Sequence, residues 1–188
     1  MVNYKNKSLR YYLDDLSRKL PTPGGGSACA LVAGVGVSLL SMVINFTLGK
    51  VEYIRYEKEL RENLLKTESL RKKFLELVDE DVKAYRSKDV WYSLEVPLKI
   101  AYLCFSAIKL CPTLLKKGNV NLISDIASAV IFLEAGFSGA YFNVEANLRL
   151  IKDRKVKTKI RQEILGEARI IKNIREKVER KIGEIIRR

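Results

Sequence analysis

No histidine occurs among the 188 residues, and that absence narrows the available chemistry at once. It removes the usual general base at neutral pH and the usual nitrogen ligand of zinc. Ser-His-Asp and Cys-His mechanisms are excluded, so acid–base work falls to Asp, Glu, Lys, Tyr or Cys with pKa values shifted by their surroundings. Cys29, Cys104 and Cys111 form no CxxC pair and match no zinc spacing. On one helix Cys104 and Cys111 would stand about 10 Å apart, too far for a disulfide. Free thiols in a reducing cytosol and no metal site are the simple reading.

Several residues stand where they could do chemistry. Asp81 falls on an apolar stripe of helical period, through Tyr56, Leu60, Leu64, Phe74, Leu77, Val78 and Tyr85. A carboxylate on a core-facing stripe is paired, hydrogen-bonded or functional, and a paired structural role weighs as much as a catalytic one. Asp125 sits in or beside the first turn of a later helix, where a carboxylate suits the helix dipole and needs no further role. Lys50, just past an apolar helix, could donate a proton, bind an anion or be an ordinary surface lysine. The loop Pro23, Gly24, Gly25, Gly26, Ser27 could hold an anionic or carbonyl group on its backbone N–H groups and the following helix N-terminus, or be only a tight turn. Asn143 lies eighteen residues after Asp125. On one continuous helix the two share a face but stand about 27 Å apart. They cannot then touch one reacting atom within one subunit, so Asn143 would serve the far end of a channel or a partner's site, unless the helix is broken.

The elements that must position these residues all read as helices. Leu9, Tyr12, Leu13 and Leu16 recur at helical spacing over 8–19, ending at Pro21. Ser27 suits the N-cap of a second helix over 27–48 that is apolar all round and therefore central, with Gly49 as its C′ residue. Its small residues Ala30, Gly34 and Ser38 allow close approach of another helix, in the same chain or at a subunit interface. The run 28–44 is about long enough to span a membrane, but its glycines and serines, and the lack of a second span of equal quality, favour a buried helix of a soluble protein. No signal peptide is apparent. A long amphipathic helix is expected over 55–88. Pro97 suits the first turn of a helix running towards Lys117, with Pro112 as a kink and Gly118 as its end. Another helix runs from near Ser124 past Asn147. A last one, 156–186, places Ile160, Ile164, Ile171, Ile174, Val178, Ile182 and Ile185 on one face. The architecture expected is all-α, one antiparallel helical-bundle domain over 1–188.

The chain carries 35 Lys and Arg against 22 Asp and Glu, a net charge of +13. Residues 151–188 hold a net +8 of it. Such a tail can bind nucleic acid or an anionic membrane, or be a solvated helix face. Nucleic-acid binding is disfavoured because no reading motif is present and aromatics are not interleaved with the basic run.

Three stretches together resemble the cyclodeaminase/cyclohydrolase family: LPTPGGGSACALVAGVGVSLLSMVINFTLGK at 20–50, VDEDVKAY at 78–85 with EVPL at 95–98, and GNVNLISDIASAV at 118–130 continuing to NVEANLRLIKD at 143–153. The resemblance covers roughly 8–153. It implies an all-helical homodimer with a folate in a channel near the subunit interface, and a cytoplasmic enzyme acting on a tetrahydrofolate one-carbon unit without a tightly bound cofactor. It singles out Asp125 of the SD motif as the first acid–base residue, with Ser124 beside it among the substrate-binding residues; Asp81 comes second, on its place in the apolar stripe. Two departures stand out, Glu145-Ala146 where a basic or apolar pair is expected and the unusually basic final segment. The reactions implied are opening of the methenyl bridge by water and closure from the formimino compound with loss of ammonia. A non-catalytic folate-binding dimer is the competing reading.

Overall fold

The computed structural model describes residues 3–187, and every regular element among them is helical. α1 covers Leu9–Leu16, α2 Gly25–Asn45, α3 Glu57–Ser87, α4 Val90–Ile108, α5 Cys111–Lys117, α6 Ile123–Leu148 and α7 Arg154–Ile186. Short 3-10 turns occupy Tyr4–Asn6, Val51–Tyr56 and Val120–Leu122. The long helices α2, α3 and α4 alternate in direction, as do α6 and α7. Along α2 and α3, Ser27 meets Val78 near one end and Ser41 meets Thr67 farther on. α6 lies antiparallel to both α2 and α4: Gly25 faces Asn143 while Gly36 faces Ala129, and Ser93 meets Asn147 while Cys104 meets Gly136.

α2 is central, as its apolar surface requires. Two glycines set its approach to α6. A methyl group on Gly36 would stand 3.2 Å from the Ala129 carbonyl oxygen, and one on Gly136 3.0 Å from Ala33 Cβ. Ala30, Gly34 and Ser38 instead floor a groove of about 150 Å³ beside Leu75 and Val78 of α3. Three stretches are long and apolar enough to cross a membrane by composition alone, with mean hydropathy 2.2 for Gly25–Asn45, 1.5 for Val90–Lys117 and 1.6 for Val120–Leu148. In this fold their helices form the core together.

Several expected boundaries shift, each for a local reason. α1 is shorter than expected and turned. Tyr12 and Asp15 face inward while Leu9 and Leu13 are 62% and 50% exposed, because hydrogen bonds to the two buried residues fix the face. α2 ends at Asn45, and Gly49, in the left-handed region at φ +78°, closes the turn that follows. Tyr85 is exposed, not part of the core stripe. Pro97 is not in a first turn. α4 starts seven residues earlier, where the Asp89 side chain accepts from the N–H groups of Trp91 and Tyr92. Pro112 does not kink a continuous helix but stands in the first turn of α5, where a missing N–H costs nothing. The expected single helix is thus two, and Cys104 and Cys111 sit in different helices as buried free thiols.

α7 lays Ile164, Ile171, Val178 and Ile182 into the core, with Ile160, Ile174 and Ile185 partly buried beside them. Glu145 and the basic final helix meet here. Glu145 of α6 accepts a two-pronged contact from Arg161 of the basic helix at 2.9–3.0 Å. Arg175 bridges two carboxylates, one nitrogen on Glu134 of α6 and another on Glu179.

Candidate active site

A cavity of about 270 Å³ opens at one end of the bundle, where the N-termini of α2 and α4 meet the C-terminal turns of α3 and α6. Asp81 is its carboxylate. Gly24, Gly25 and Gly26 form one wall, Asn143 and Asn147 another, and the exposed ring of Tyr85 stands at the edge.

Local structure explains why Asp81 is there. The N-cap of α2 is Gly24, which has no side chain to bond the first-turn N–H groups. Asp81 supplies the missing acceptor from α3, its Oδ2 taking the Ser27 N–H at 2.9 Å. The rest of the carboxyl group lies against Gly26, where an added methyl carbon would come within 2.7 Å of Cγ and closer still to Oδ1. Glycine at 26 is therefore the condition for a carboxylate at 81. Burial raises the Asp81 pKa from its ordinary value, and the Ser27 N–H offsets part of that rise. The positive end of α2 acts in the same direction as that hydrogen bond. The result is a proton acceptor of raised affinity, half-enclosed, beside first-turn N–H groups that a helix leaves free for a ligand carbonyl.

Ser27, fully buried, is held from two sides. Its hydroxyl accepts from Tyr12 OH at 3.1 Å and donates to the Val78 carbonyl at 2.9 Å. Tyr12 stands edge-on to Tyr4, ring centroids 5.5 Å apart. The Tyr4–Asn6 turn is pinned in its turn by Asp79, which accepts the N–H groups of Tyr4 and Lys5 at 2.6 and 3.3 Å. Tyr4 OH donates to Asp15 at 3.0 Å, and burial, with that carboxylate, pushes its pKa up to about 12. The two aspartates of VDEDV thus divide their work, Asp79 anchoring the N-terminal turn and Asp81 facing the cavity. Burial also pushes the Cys29 thiol up to about 11, so it is no thiolate nucleophile at neutral pH.

The sequence candidates fall into two groups. Gly24, Gly25, Gly26, Asp81 and Asn143 come together at the cavity. Pro23, after a cis Thr22–Pro23 bond, and Ser27 are buried behind the loop and support it. Lys50, Ser124 and Asp125 lie at the other end of the bundle. α6 is continuous from Ile123 to Leu148, so Asp125 and Asn143 are separated by about 27 Å. Asp125 occupies the first turn of α6, and Lys50 is an exposed residue following the Gly49 turn. Tyr12, Tyr85, Ser93 and Asn147 are at or behind the cavity and were not singled out from sequence. For Asn147 a signal existed: it lies four residues after Asn143, one helical turn on the same face.

The formiminotransferase-cyclodeaminase family matches over residues 8–90 and 87–165, nearly the whole of the helices that build the cavity. This chain belongs to that family. Among relatives, a methenyltetrahydrofolate cyclohydrolase of Methylorubrum extorquens is 33% identical, the match covering 79% of this chain and 83% of that enzyme. A formimidoyltransferase-cyclodeaminase of Rattus norvegicus is 28% identical over 84% of this chain, which spans only 33% of the rat protein. The crystal structure of a formiminotetrahydrofolate cyclodeaminase from Thermotoga maritima superimposes with a TM-score of 0.82 at 25% identity, covering 96% of each chain.

Proposed function

We propose that this protein is a cytoplasmic tetrahydrofolate one-carbon enzyme, a methenyltetrahydrofolate cyclohydrolase or formimidoyltetrahydrofolate cyclodeaminase, with Asp81 as its acid–base group. One observation carries the assignment to that residue: the cavity's carboxylate, raised in pKa by burial, is held against Gly26 by a single N–H of the glycine-rich helix start. In the cyclohydrolase direction a water attacks the methenyl carbon and Asp81 takes its proton. The hydroxyl adduct collapses to a carbonyl, the bond from carbon to N5 breaks, and Asp81 returns its proton to N5. The hydroxyl proton goes to solvent, leaving the formyl group on N10. In the cyclodeaminase direction N10 attacks the formimino carbon and its proton passes to the formimino nitrogen; protonated Asp81 gives that nitrogen a second proton, the carbon–nitrogen bond breaks, and ammonia leaves the methenyl bridge. Both routes pass through a tetrahedral carbon, so one site serves either. Tyr85 offers a flat face to the ring system. Arg86, held by the Thr22 hydroxyl at 3.1 Å, is a cation beside the loop for the glutamate carboxylates.

A homodimer supports a place for the second group of residues. Val32 and Val35 of α2 are 36% and 46% exposed beside the small-residue groove, an apolar surface suited to a second copy. An antiparallel pairing across it would carry Lys50, Ser124 and Asp125 of one subunit towards the cavity of the other.

Near-ultraviolet absorbance of methenyltetrahydrofolate tests the reading in two reactions. Accelerated loss of the methenyl compound, without ammonia release from 5-formiminotetrahydrofolate, identifies a cyclohydrolase. Methenyl formation with matching ammonia identifies a cyclodeaminase. Rates no faster than the uncatalysed ones in both, with folded protein, would promote the non-catalytic folate-binding dimer.

A further inference from the structure

The proline inside α4 is buried one helical turn after Ser93, a residue of the cavity wall. We propose that Pro97 is a positioning residue: by offering no N–H to the Ser93 carbonyl, it frees that oxygen to hold the Asn147 side chain in the cavity, where Asn147 reads the polar edge of the folate's pterin ring. This rests on the folate reading above and names a substrate contact within it.

In an α-helix the N–H of residue 97 would bond the carbonyl of residue 93. Proline has no N–H, and its ring presses on that same carbonyl, which makes an interior proline the most unfavourable of helix residues. In α4 the vacated acceptor is used. Asn147 Nδ2 donates to the Ser93 carbonyl oxygen at 2.6 Å, across from α6 to α4. Ser93 is itself fixed, its N–H donating to the Asp89 carbonyl at 2.9 Å and its hydroxyl to the Ala84 carbonyl at 3.3 Å. Pro97 is buried and is not part of the cavity lining, whereas Ser93 and Asn147 are.

The consequence is an oriented carboxamide. A side-chain amide has two N–H donors and one carbonyl acceptor. Tethering one N–H to Ser93 settles which way the group faces and leaves one donor and the acceptor for a ligand. Asn143, one turn earlier, is tethered in the same manner through Nδ2 to the Gly139 carbonyl at 2.8 Å. A pterin carries an adjacent ring N–H, carbonyl and amino group, the hydrogen-bonding complement of such an amide. Asp81, beside Gly26, is left for the one-carbon bridge.

The experiment compares Pro97→Ala, Asn147→Ala, Asn147→Asp and the double variant Pro97→Ala/Asn147→Ala with the unaltered protein. Binding of 5-formyltetrahydrofolate is measured by calorimetry, alongside thermal melts and steady-state kinetics. Pro97→Ala restores a competing N–H to the Ser93 carbonyl. Its expected signature is a melting temperature equal to or above that of the unaltered protein, with a KM and Kd raised about three- to ten-fold, the reach of one neutral hydrogen bond, and kcat little changed. The double variant should bind no more weakly than Asn147→Ala alone. Asn147→Asp, which keeps the shape and loses the donor, should weaken binding at least as much. Unchanged binding in Pro97→Ala, additive losses in the double variant, or full binding by Asn147→Asp would each overturn the inference while leaving the enzyme reading intact. Failure of the unaltered protein to bind 5-formyltetrahydrofolate would overturn both.

Discussion

Replacing Gly26 with alanine sets two local effects against each other, and the structure says which one activity follows. Gly26 is the second residue of α2, where alanine is the better helix former by about 1 kcal/mol. The new methyl carbon, however, would stand 2.7 Å from Asp81 Cγ and 3.1 Å from Oδ2. Ordinary contact between carbon atoms begins near 3.5 Å, so the carboxyl group must retreat by about 1 Å. That retreat stretches the 2.9 Å bond from the Ser27 N–H, which caps α2 in place of the absent Gly24 side chain, and a lost cap costs about 1 kcal/mol. Gain and loss nearly cancel, so Gly26→Ala should melt within a few degrees of the unaltered protein. Activity has no such compensation. A displacement of about 1 Å at a catalytic group costs on the order of 100-fold.

The assay is methenyltetrahydrofolate turnover followed by absorbance, with a circular-dichroism melt on the same sample. Gly166→Ala is the control, because a methyl there meets nothing within 4 Å. It lies within α7, so it should gain stability of roughly 0.5–1 kcal/mol and keep full activity. Full activity in Gly26→Ala, with the melt unmoved, would refute the reasoning, since the carboxylate would then be shown to have room that the geometry denies it.

Three further outcomes follow from the same geometry. Burial holds the Asp81 pKa above 3.8, so the folded chain keeps this proton more tightly than the unfolded chain. The residue's stabilising contribution is therefore present at low pH and is lost as pH rises through the raised value. Asp81→Asn should be inactive yet at least as stable at neutral pH, and denaturant titrations should show its advantage shrinking towards pH 4; an advantage that grows in acid would contradict the sign. Tyr12→Phe removes the hydroxyl that steadies Ser27, at a cost of about 1 kcal/mol. It should move the acidic limb of the kcat/KM profile to higher pH as the Ser27 N–H loosens from Asp81, and an unmoved limb would make Tyr12 a packing residue only. If Asp125 of one subunit serves the cavity of another, mixing inactive Asp81→Asn and Asp125→Asn proteins and reassembling them should restore about a quarter of full activity, because half the dimers are mixed and each mixed dimer has one intact site; no recovery would confine Asp125 to its own helix.

The sequence was informative wherever local pattern decides structure. Asp81 was conspicuous because a carboxylate interrupted a helical stripe, and the glycine triplet announced a helix start open to a ligand. The same local logic misread Pro97. Proline suits a first turn, which points to a helix start at 97, whereas the Asp89 cap starts α4 seven residues earlier. What no local pattern could show is where Asn147 finds its partner. The Ser93 carbonyl is 54 residues away in the chain, and Pro97 leaves it without a backbone donor from its own helix.

Asp125 and Asp81 illustrate the harder limit. Eighteen residues make five full helical turns, so periodicity puts Asp125 and Asn143 on one face but says nothing of which end of α6 meets the start of α2. That is settled by packing: Gly36 and Gly136 let α2 and α6 close on each other in antiparallel register, and the register brings Asn143 to Gly25. Once it is fixed, Asp81 is the carboxylate at the glycine-rich end and Asp125 the one at the far end. Any role for Asp125 at a cavity then requires a second subunit, so the oligomeric state and the catalytic role of Asp125 are one question, and the mixed-dimer experiment answers both.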